Sequence, residues 1–201
     1  MSSTGATRPR MLRAGDGPVS TWSVPNLISF VRIALVPVFV VVLLRGADGG
    51  ALRWLATAIF VVAISTDSLD GHLARSRNLV TDLGKILDPI ADKALTGAAL
   101  VVLSALGEVP WWVTALILVR EIGITVWRFA VLSKRVIPAS KGGKTKTVLQ
   151  SVAITLALAP LPALLGGWMA WVNGVLIAAA LVVTVATGIQ YLVDDRRLNR
   201  G

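Results

Sequence analysis

Six apolar runs of bilayer-spanning length recur along this chain, at about 26–44, 52–74, 84–106, 110–133, 146–165 and 168–192. A transmembrane helix needs about 20 consecutive apolar residues, and each run comes close to that length. Together they take up most of the 201 residues, which leaves only short connections. The expected fold is therefore all-α, an integral membrane bundle of six transmembrane helices. One domain covers residues 23–195, between a mobile polar tail at 1–22 and a short basic tail at 196–201. With 55% hydrophobic and only 15% charged residues, the chain is neither disordered nor an ordinary soluble domain.

The net charge of +9 would suggest nucleic acid in a soluble protein. Here the positive-inside rule explains it better, and no nucleic-acid partner is expected. With the N-terminus cytoplasmic, the inner segments hold thirteen basic residues: Arg8, Arg10, Arg13, Arg75, Arg77, Lys134, Arg135, Lys141, Lys144, Lys146, Arg196, Arg197 and Arg200. The outer loops hold two, Arg45 and Arg53. Both termini are thus expected in the cytoplasm, in a multi-pass protein of the cell membrane. Trp54, Trp111, Trp112, Trp168 and Trp171 fall at outer helix ends, as an interfacial aromatic belt would require. Cysteine is absent, so the chain has neither a disulfide framework nor thiol chemistry. The polar N-terminal segment does not read as a cleaved signal, because the apolar run after it is long and contains Arg32, a residue able to snorkel.

Four aspartates interrupt this apolar pattern within 26 residues: Asp67, Asp70, Asp88 and Asp92. Ionisable groups in a membrane segment are expensive and read first as functional. Asp67 and Asp70 are three apart and share a helix face, as do Asp88 and Asp92, four apart. A short basic turn joins the two helices, which makes them antiparallel neighbours. Asp67 and Asp92 then both lie roughly 12 Å in from the cytoplasmic end, at 1.5 Å per residue. Four converging carboxylates repel one another unless cations join them. Ligands that are all oxygen suit hard ions such as Mg²⁺, Mn²⁺ or Ca²⁺, and two ions held this way polarise phosphoryl groups. Arg75 and Gly71 beside them suit a diphosphate, the arginine as a bidentate donor and the glycine by permitting close approach.

The spacing Asp67-x2-Asp70-Gly71-x2-Ala74-Arg75-x8-Gly84-x3-Asp88-x3-Asp92 resembles the signature of the CDP-alcohol phosphotransferases at every specified position. The resemblance implies that family's six-helix fold, a homodimer, and a site in the cytoplasmic half of the bilayer. It implies two divalent cations, Mg²⁺ or Mn²⁺, held mainly by Asp67, Asp70 and Asp88. Asp92 is then the general base and can also touch a metal. Asp67, Gly71, Ala74, Arg75 and Gly84 line the CDP-lipid.

The choice of acceptor must come from outside the signature. Arg120-Glu121-Ile122 and Arg128 lie on the fourth run, and a basic loop follows that includes Lys144 and Lys146. Intramembrane arginines need partners, and Glu121 alone is too little for Arg120 and Arg128 together. Arg120, Arg128, Lys144 and Lys146 form a basic vestibule suited to an acceptor that carries phosphate. Val24-Pro25-Asn26-Leu27 with Arg32, Arg120-Glu121-Ile122 and Gly143-Lys144-x-Lys146-Thr147-x-x-Gln150 resemble the phosphatidylglycerolphosphate synthase branch of the family. That resemblance implies transfer of a phosphatidyl group from CDP-diacylglycerol to glycerol 3-phosphate. Other acceptors, inositol phosphate or phosphatidylglycerol (giving cardiolipin), would use the same chemistry. A cation transporter is a more distant reading, because Gly71, Ala74, Arg75 and Gly84 serve no purpose in a simple ion path. His72, the single histidine, points away from the Asp70 face and is not expected to act.

Overall fold

A computed structural model of the chain describes residues 24–76, 82–132 and 141–198. Within them the chain is helical, with no strand: α1 (Val24–Arg45), α2 (Ala51–Ser76), α3 (Asp82–Ala105), α4 (Trp111–Leu132), α5 (Lys141–Leu158), a short α6 (Leu161–Leu165) and α7 (Trp168–Leu198). The N-terminal tail, the turn at 77–81, residues 133–140 and the last three residues lie outside the described residues.

The first four helices match the apolar runs to within two residues at each end. The fifth run does not form one helix. Pro160 and Pro162 cannot supply the backbone donors that a continuing helix needs, so α5 stops at Leu158 and α6 is a separate turn. At its other end α5 begins at Lys141, which puts Lys144 and Lys146 on helix where a loop was expected. The sixth run also continues further than its apolar pattern, with α7 reaching Leu198 through the polar Asp194–Arg197 segment. α3 ends in a Schellman turn. Gly107 takes a φ of 76° there, the Gly107 N–H reaches Ser104 O at 3.0 Å, and the Glu108 N–H reaches Leu103 O at 2.9 Å.

α1 packs along both α2 and α3, α5 packs along α7, and α4 bridges α3 and α7. Among the described residues α2 and α3 also touch each other, more sparsely than either touches α1. The core contains Phe39 and Leu43 of α1, Phe60 of α2, Leu95, Leu100 and Leu103 of α3, Ile117 of α4, and Ile154 and Leu158 of α5. The Phe39 and Phe60 rings meet at 5.9 Å between centroids, tilted by 35°. Ala56, Ala63, Ala99, Ala153, Ala157 and Ala180 are buried between the helices. Such small residues let helix backbones approach closely, which supplies association by dispersion when no water is present to drive it.

The distribution of polarity is inverted relative to a protein in water. Val119, Val126, Val175 and Val182 are more than 60% exposed, whereas Arg53, Glu121, Lys146 and Gln150 are buried. Among the described residues two helices, Leu27–Arg45 and Trp168–Tyr191, are long and apolar enough to cross a membrane, the first with Arg32 inside it; Ala51–Thr66 and Thr145–Leu158 are shorter apolar stretches. Trp54, Trp111, Trp112, Trp168 and Trp171 are all exposed, near the starts of α2, α4 and α7.

Arg53 departs from its expected place in an outer loop. It sits in the first turn of α2 and is 4% exposed. Its Nε donates to Leu158 O at 2.7 Å, and its Nη2 donates to Ala157 O at 3.1 Å and to Glu108 Oε2 at 2.6 Å. These carbonyls close α5, where the last helical C=O groups lack intrahelical partners and the helix dipole favours a cation. One side chain thereby ties the start of α2, the end of α5 and the connection after α3. Arg53→Ala is expected to destabilise the bundle by about 2–4 kcal/mol, through orphaned carbonyls and a half-buried Glu108 without its cation. Thermal unfolding in detergent checks this, and an unchanged midpoint would refute it.

Candidate active site

Both helices of the aspartate signature are present. Asp67 and Asp70 lie on the last third of α2, with Gly71, Ala74 and Arg75 on its closing turns. Gly84 lies in the first turn of α3, and Asp88 and Asp92 follow on the same helix. Both pairs therefore lie toward the ends of α2 and α3 that adjoin in the chain. The side chains of Asp67, Asp70, Ala74, Arg75 and Asp88 lie outside the described residues, as do those of Arg128 and Lys144. The expected four-carboxylate convergence and the contribution of Arg128 to the vestibule both rest on those side chains. Pro89 follows Asp88 inside α3, in its second turn.

Asp92 is described, and its surroundings link the signature to the basic residues. Lys93 Nζ lies 3.8 Å from Asp92 Oδ2 and donates to Glu121 Oε2 at 3.1 Å. Arg120 Nη1 donates to Glu121 Oε1 at 2.9 Å, and Lys146 Nζ donates to the same oxygen. Glu121 is 6% exposed, as are Lys146 and Gln150. A carboxylate accepts through about four lone-pair sites, which is how one side chain serves three donors here. Asp92, Thr96, Glu121, Lys146, Thr147, Gln150 and Ser151 surround a polar pocket of about 10 Å³, room for about one water molecule.

The neighbouring contacts hold this arrangement in place. Arg120 Nη2 donates to Thr187 Oγ1 of α7 at 2.9 Å, while the Thr187 hydroxyl donates within its own helix to Val183 O at 2.7 Å. Gly188 lies against the same arginine, and a Cβ there would stand 3.2 Å from Arg120 Cγ and 3.3 Å from Nε. Gly188→Val is expected to push Arg120 off Thr187 and raise the Michaelis constant of the acceptor; an unchanged constant would detach Arg120 from the site. Thr96 and Thr125 hydroxyls donate to the carbonyls one turn back, Asp92 O at 2.9 Å and Glu121 O at 2.7 Å.

Asp92 of α3 and Lys146 of α5 thus line one pocket, and Arg120 of α4 joins them through Glu121. The residue joining them is Glu121, expected as at most a partner for the arginines. It serves Arg120, Lys93 and Lys146. Lys93, Gln150 and Thr187 also belong to the cluster without having been singled out as site residues. A glutamate within an apolar helix was the available signal for Glu121. Thr187 carried none, being one hydroxyl in an apolar run. Arg32, a candidate for snorkelling, is instead 3% exposed within the bundle.

An aspartate pattern on α2 and α3 whose last member, Asp92, adjoins a buried charged cluster, in a bundle with an apolar exterior, fits a phosphotransferase of the membrane. The chain belongs to the CDP-alcohol phosphatidyltransferase family, whose model matches residues 22–186, and it is a membrane transferase of that family. It is 48% identical over 168 residues to a probable phosphatidylglycerophosphate synthase of Mycobacterium tuberculosis, covering 83% of this chain and 78% of that one. It is 39% identical over 148 residues to the CDP-diacylglycerol–glycerol-3-phosphate 3-phosphatidyltransferase of Bacillus subtilis, covering 68% and 77% of the two chains. A protein of the same name from Rickettsia bellii is 35% identical over 170 residues, covering 84% and 93%.

Proposed function

We propose that this protein transfers the phosphatidyl group of CDP-diacylglycerol to glycerol 3-phosphate, giving phosphatidylglycerolphosphate and CMP. The observation that carries this reading is the placement of Lys146, Arg120 and Lys93 around Glu121, immediately beside Asp92. Three cations against the two carboxylates Glu121 and Asp92 leave one positive charge in a low-dielectric pocket. Such a surplus favours an acceptor bearing phosphate over a neutral alcohol. The names of the relatives point to the same acceptor.

Asp67, Asp70, Asp88 and Asp92 would hold two divalent cations, Mg²⁺ or Mn²⁺. Their all-oxygen donor set and the cation dependence general in the family support this. When bound, such ions neutralise diphosphate charge and polarise the phosphoryl group. In this reading Arg75 donates to the diphosphate, while Gly71, Ala74 and Gly84 let the CDP moiety lie close to the helices. Asp92 accepts the proton of the acceptor hydroxyl. The hydroxyl oxygen forms a bond to the lipid-side phosphorus, and the bond to the CMP oxygen breaks. Lys146, Arg120, Arg128 and Lys144 hold the phosphate of the acceptor, which orients its hydroxyl and limits the configurations to be searched.

Residues 23–195 form one catalytic domain in this proposal. α1 to α5 and α7 each cross the bilayer, with both termini and the active site cytoplasmic and Trp54, Trp111, Trp112, Trp168 and Trp171 at the outer interface. The protein acts as a homodimer in the cell membrane.

The test is an assay of purified protein with radiolabelled CDP-diacylglycerol and Mg²⁺ or Mn²⁺. Glycerol 3-phosphate, inositol phosphate, serine and phosphatidylglycerol are offered separately. CMP release that depends on glycerol 3-phosphate is the expected result, and dependence on another acceptor would reassign the basic cluster. Lys146→Ala is expected to raise the Michaelis constant for the acceptor more than for the donor. Equal effects would leave Lys146 as a structural partner of Glu121.

A further inference from the structure

The polar pocket beside Asp92 is walled by three helices, with Asp92 and Thr96 from α3, Glu121 from α4, and Lys146 and Gln150 from α5 among its lining. Lys146 and Gln150 are four apart and share a face of α5, as Asp92 and Thr96 share one of α3. Most of these side chains are already committed. Lys146 donates to Glu121, Lys93 lies 3.8 Å from Asp92, and Thr96 donates to Asp92 O at 2.9 Å. Gln150 is the exception.

Gln150 is 6% exposed, and burying an amide is costly unless hydrogen bonds replace those it made to water. With the described residues its side chain forms none. Nor is the amide sealed off, as Arg120 Nε and Thr184 Oγ1 are, so it opens on the pocket that it lines. An amide offers two N–H donors and a carbonyl acceptor. Its counterpart is therefore a neutral group that both donates and accepts. In a pocket of about 10 Å³ that group takes no more room than one water. An alcohol hydroxyl meets these conditions. A phosphate does not, because it is too large and has no need of a neutral amide beside Lys146 and Arg120.

We infer that Gln150 reads a second hydroxyl of the acceptor, the one that does not attack. The inference rests on the proposed transfer to glycerol 3-phosphate, which carries two hydroxyls and one phosphate. The attacking oxygen gives its proton to Asp92 and has to face the CDP-lipid phosphorus, so it cannot lie enclosed. The primary hydroxyl is the less hindered nucleophile, which leaves the hydroxyl at the central carbon to enter the pocket. That hydroxyl keeps its proton, and the amide of Gln150 can pair both its oxygen and its hydrogen. Gln150 thereby selects a glycerol phosphate over a phosphate of a simpler alcohol, while Lys146 and Arg120 select for phosphate.

The probe is 3-hydroxypropyl phosphate, which keeps the primary hydroxyl and the phosphate of glycerol 3-phosphate and lacks only the hydroxyl between them. CMP release from CDP-diacylglycerol by the full-length protein is measured with each acceptor. The parent protein is expected to use the probe about 10–100-fold less efficiently in kcat/KM, because a hydrogen bond is lost and a buried amide stays unpaired. In Gln150→Leu and Gln150→Met, efficiency with glycerol 3-phosphate should fall until the two acceptors agree within about three-fold. Lys146→Ala, which acts on the phosphate common to both, should weaken the two alike and preserve their ratio. A parent protein that uses the probe as well as glycerol 3-phosphate overturns the inference, even if neither variant at Gln150 folds. So does a folded variant that loses both acceptors in equal proportion, as structural damage or a pocket filled only by water would produce. Absence of CMP release with glycerol 3-phosphate in the parent would instead fail the proposed acceptor, and this inference with it.

Discussion

Asp92→Asn is expected to cut turnover by about 10²–10⁴-fold, the range that a positioned general base contributes. The substitution is nearly isosteric. It keeps the α3 backbone carbonyl that Thr96 bonds, and Lys93 retains Glu121 as a partner, so the fold should survive. What it removes is the ability to take a proton from the acceptor hydroxyl. CDP-diacylglycerol binding, measured separately from CMP release, should remain largely intact. Loss of binding together with turnover would make Asp92 chiefly a metal ligand. Asp70→Asn and Asp88→Asn are expected to abolish transfer by removing ligands outright, and full activity in either would sink the proposed metal site.

The second large effect is expected at Glu121. Glu121→Ala takes the carboxylate away from Lys93, Arg120 and Lys146 at once. Breaking a buried ion pair from one side typically costs about 3–5 kcal/mol, because the other charge stays buried without compensation. The thermal midpoint and the yield of folded protein should fall clearly. Glu121→Gln keeps an acceptor oxygen but not the charge, so it should be milder in stability. It should still raise the Michaelis constant for glycerol 3-phosphate, since the cations then repel one another and leave their places beside Asp92. The donor constant should move less. An alanine variant as stable as the parent, with an unchanged acceptor constant, would show that the cluster neither supports the fold nor serves the acceptor.

These two residues differ in how far each could be read from the chain. Asp92 belongs to a pattern of fixed spacings, and a helix converts spacing into direction at about 100° per residue. Four carboxylates within 26 residues therefore announce a site before any packing is known. Glu121 belongs to no such spacing. Its partners are 28 residues before it, 25 after it and next to it, and only the mutual packing of α3, α4 and α5 selects them. Arg53 makes the same point more sharply. In the sequence it counted as one of two basic residues in the outer loops, yet its partners at Ala157 and Leu158 are more than 100 residues away.

The helices divide along the same line. α1 to α4 follow from apolar run lengths, because a span that must satisfy its own backbone in lipid is a local requirement. The ends of α5 and α7 do not, since Lys141–Gly143 and Asp194–Arg197 are polar and remain helical in their tertiary setting. Local constraints, apolar length and helical periodicity, were enough to define an all-helical chain with an acidic signature, because each acts within a turn or a span; that it is a transferase came from the resemblance of that signature to a family. Bringing Lys146 and Gln150 beside Asp92 and closing α5 with Arg53 each require distant segments to meet. No local rule specifies such meetings. They follow from how interlocking side chains let α1, α3, α5 and α7 pack, and so only the tertiary structure decided them.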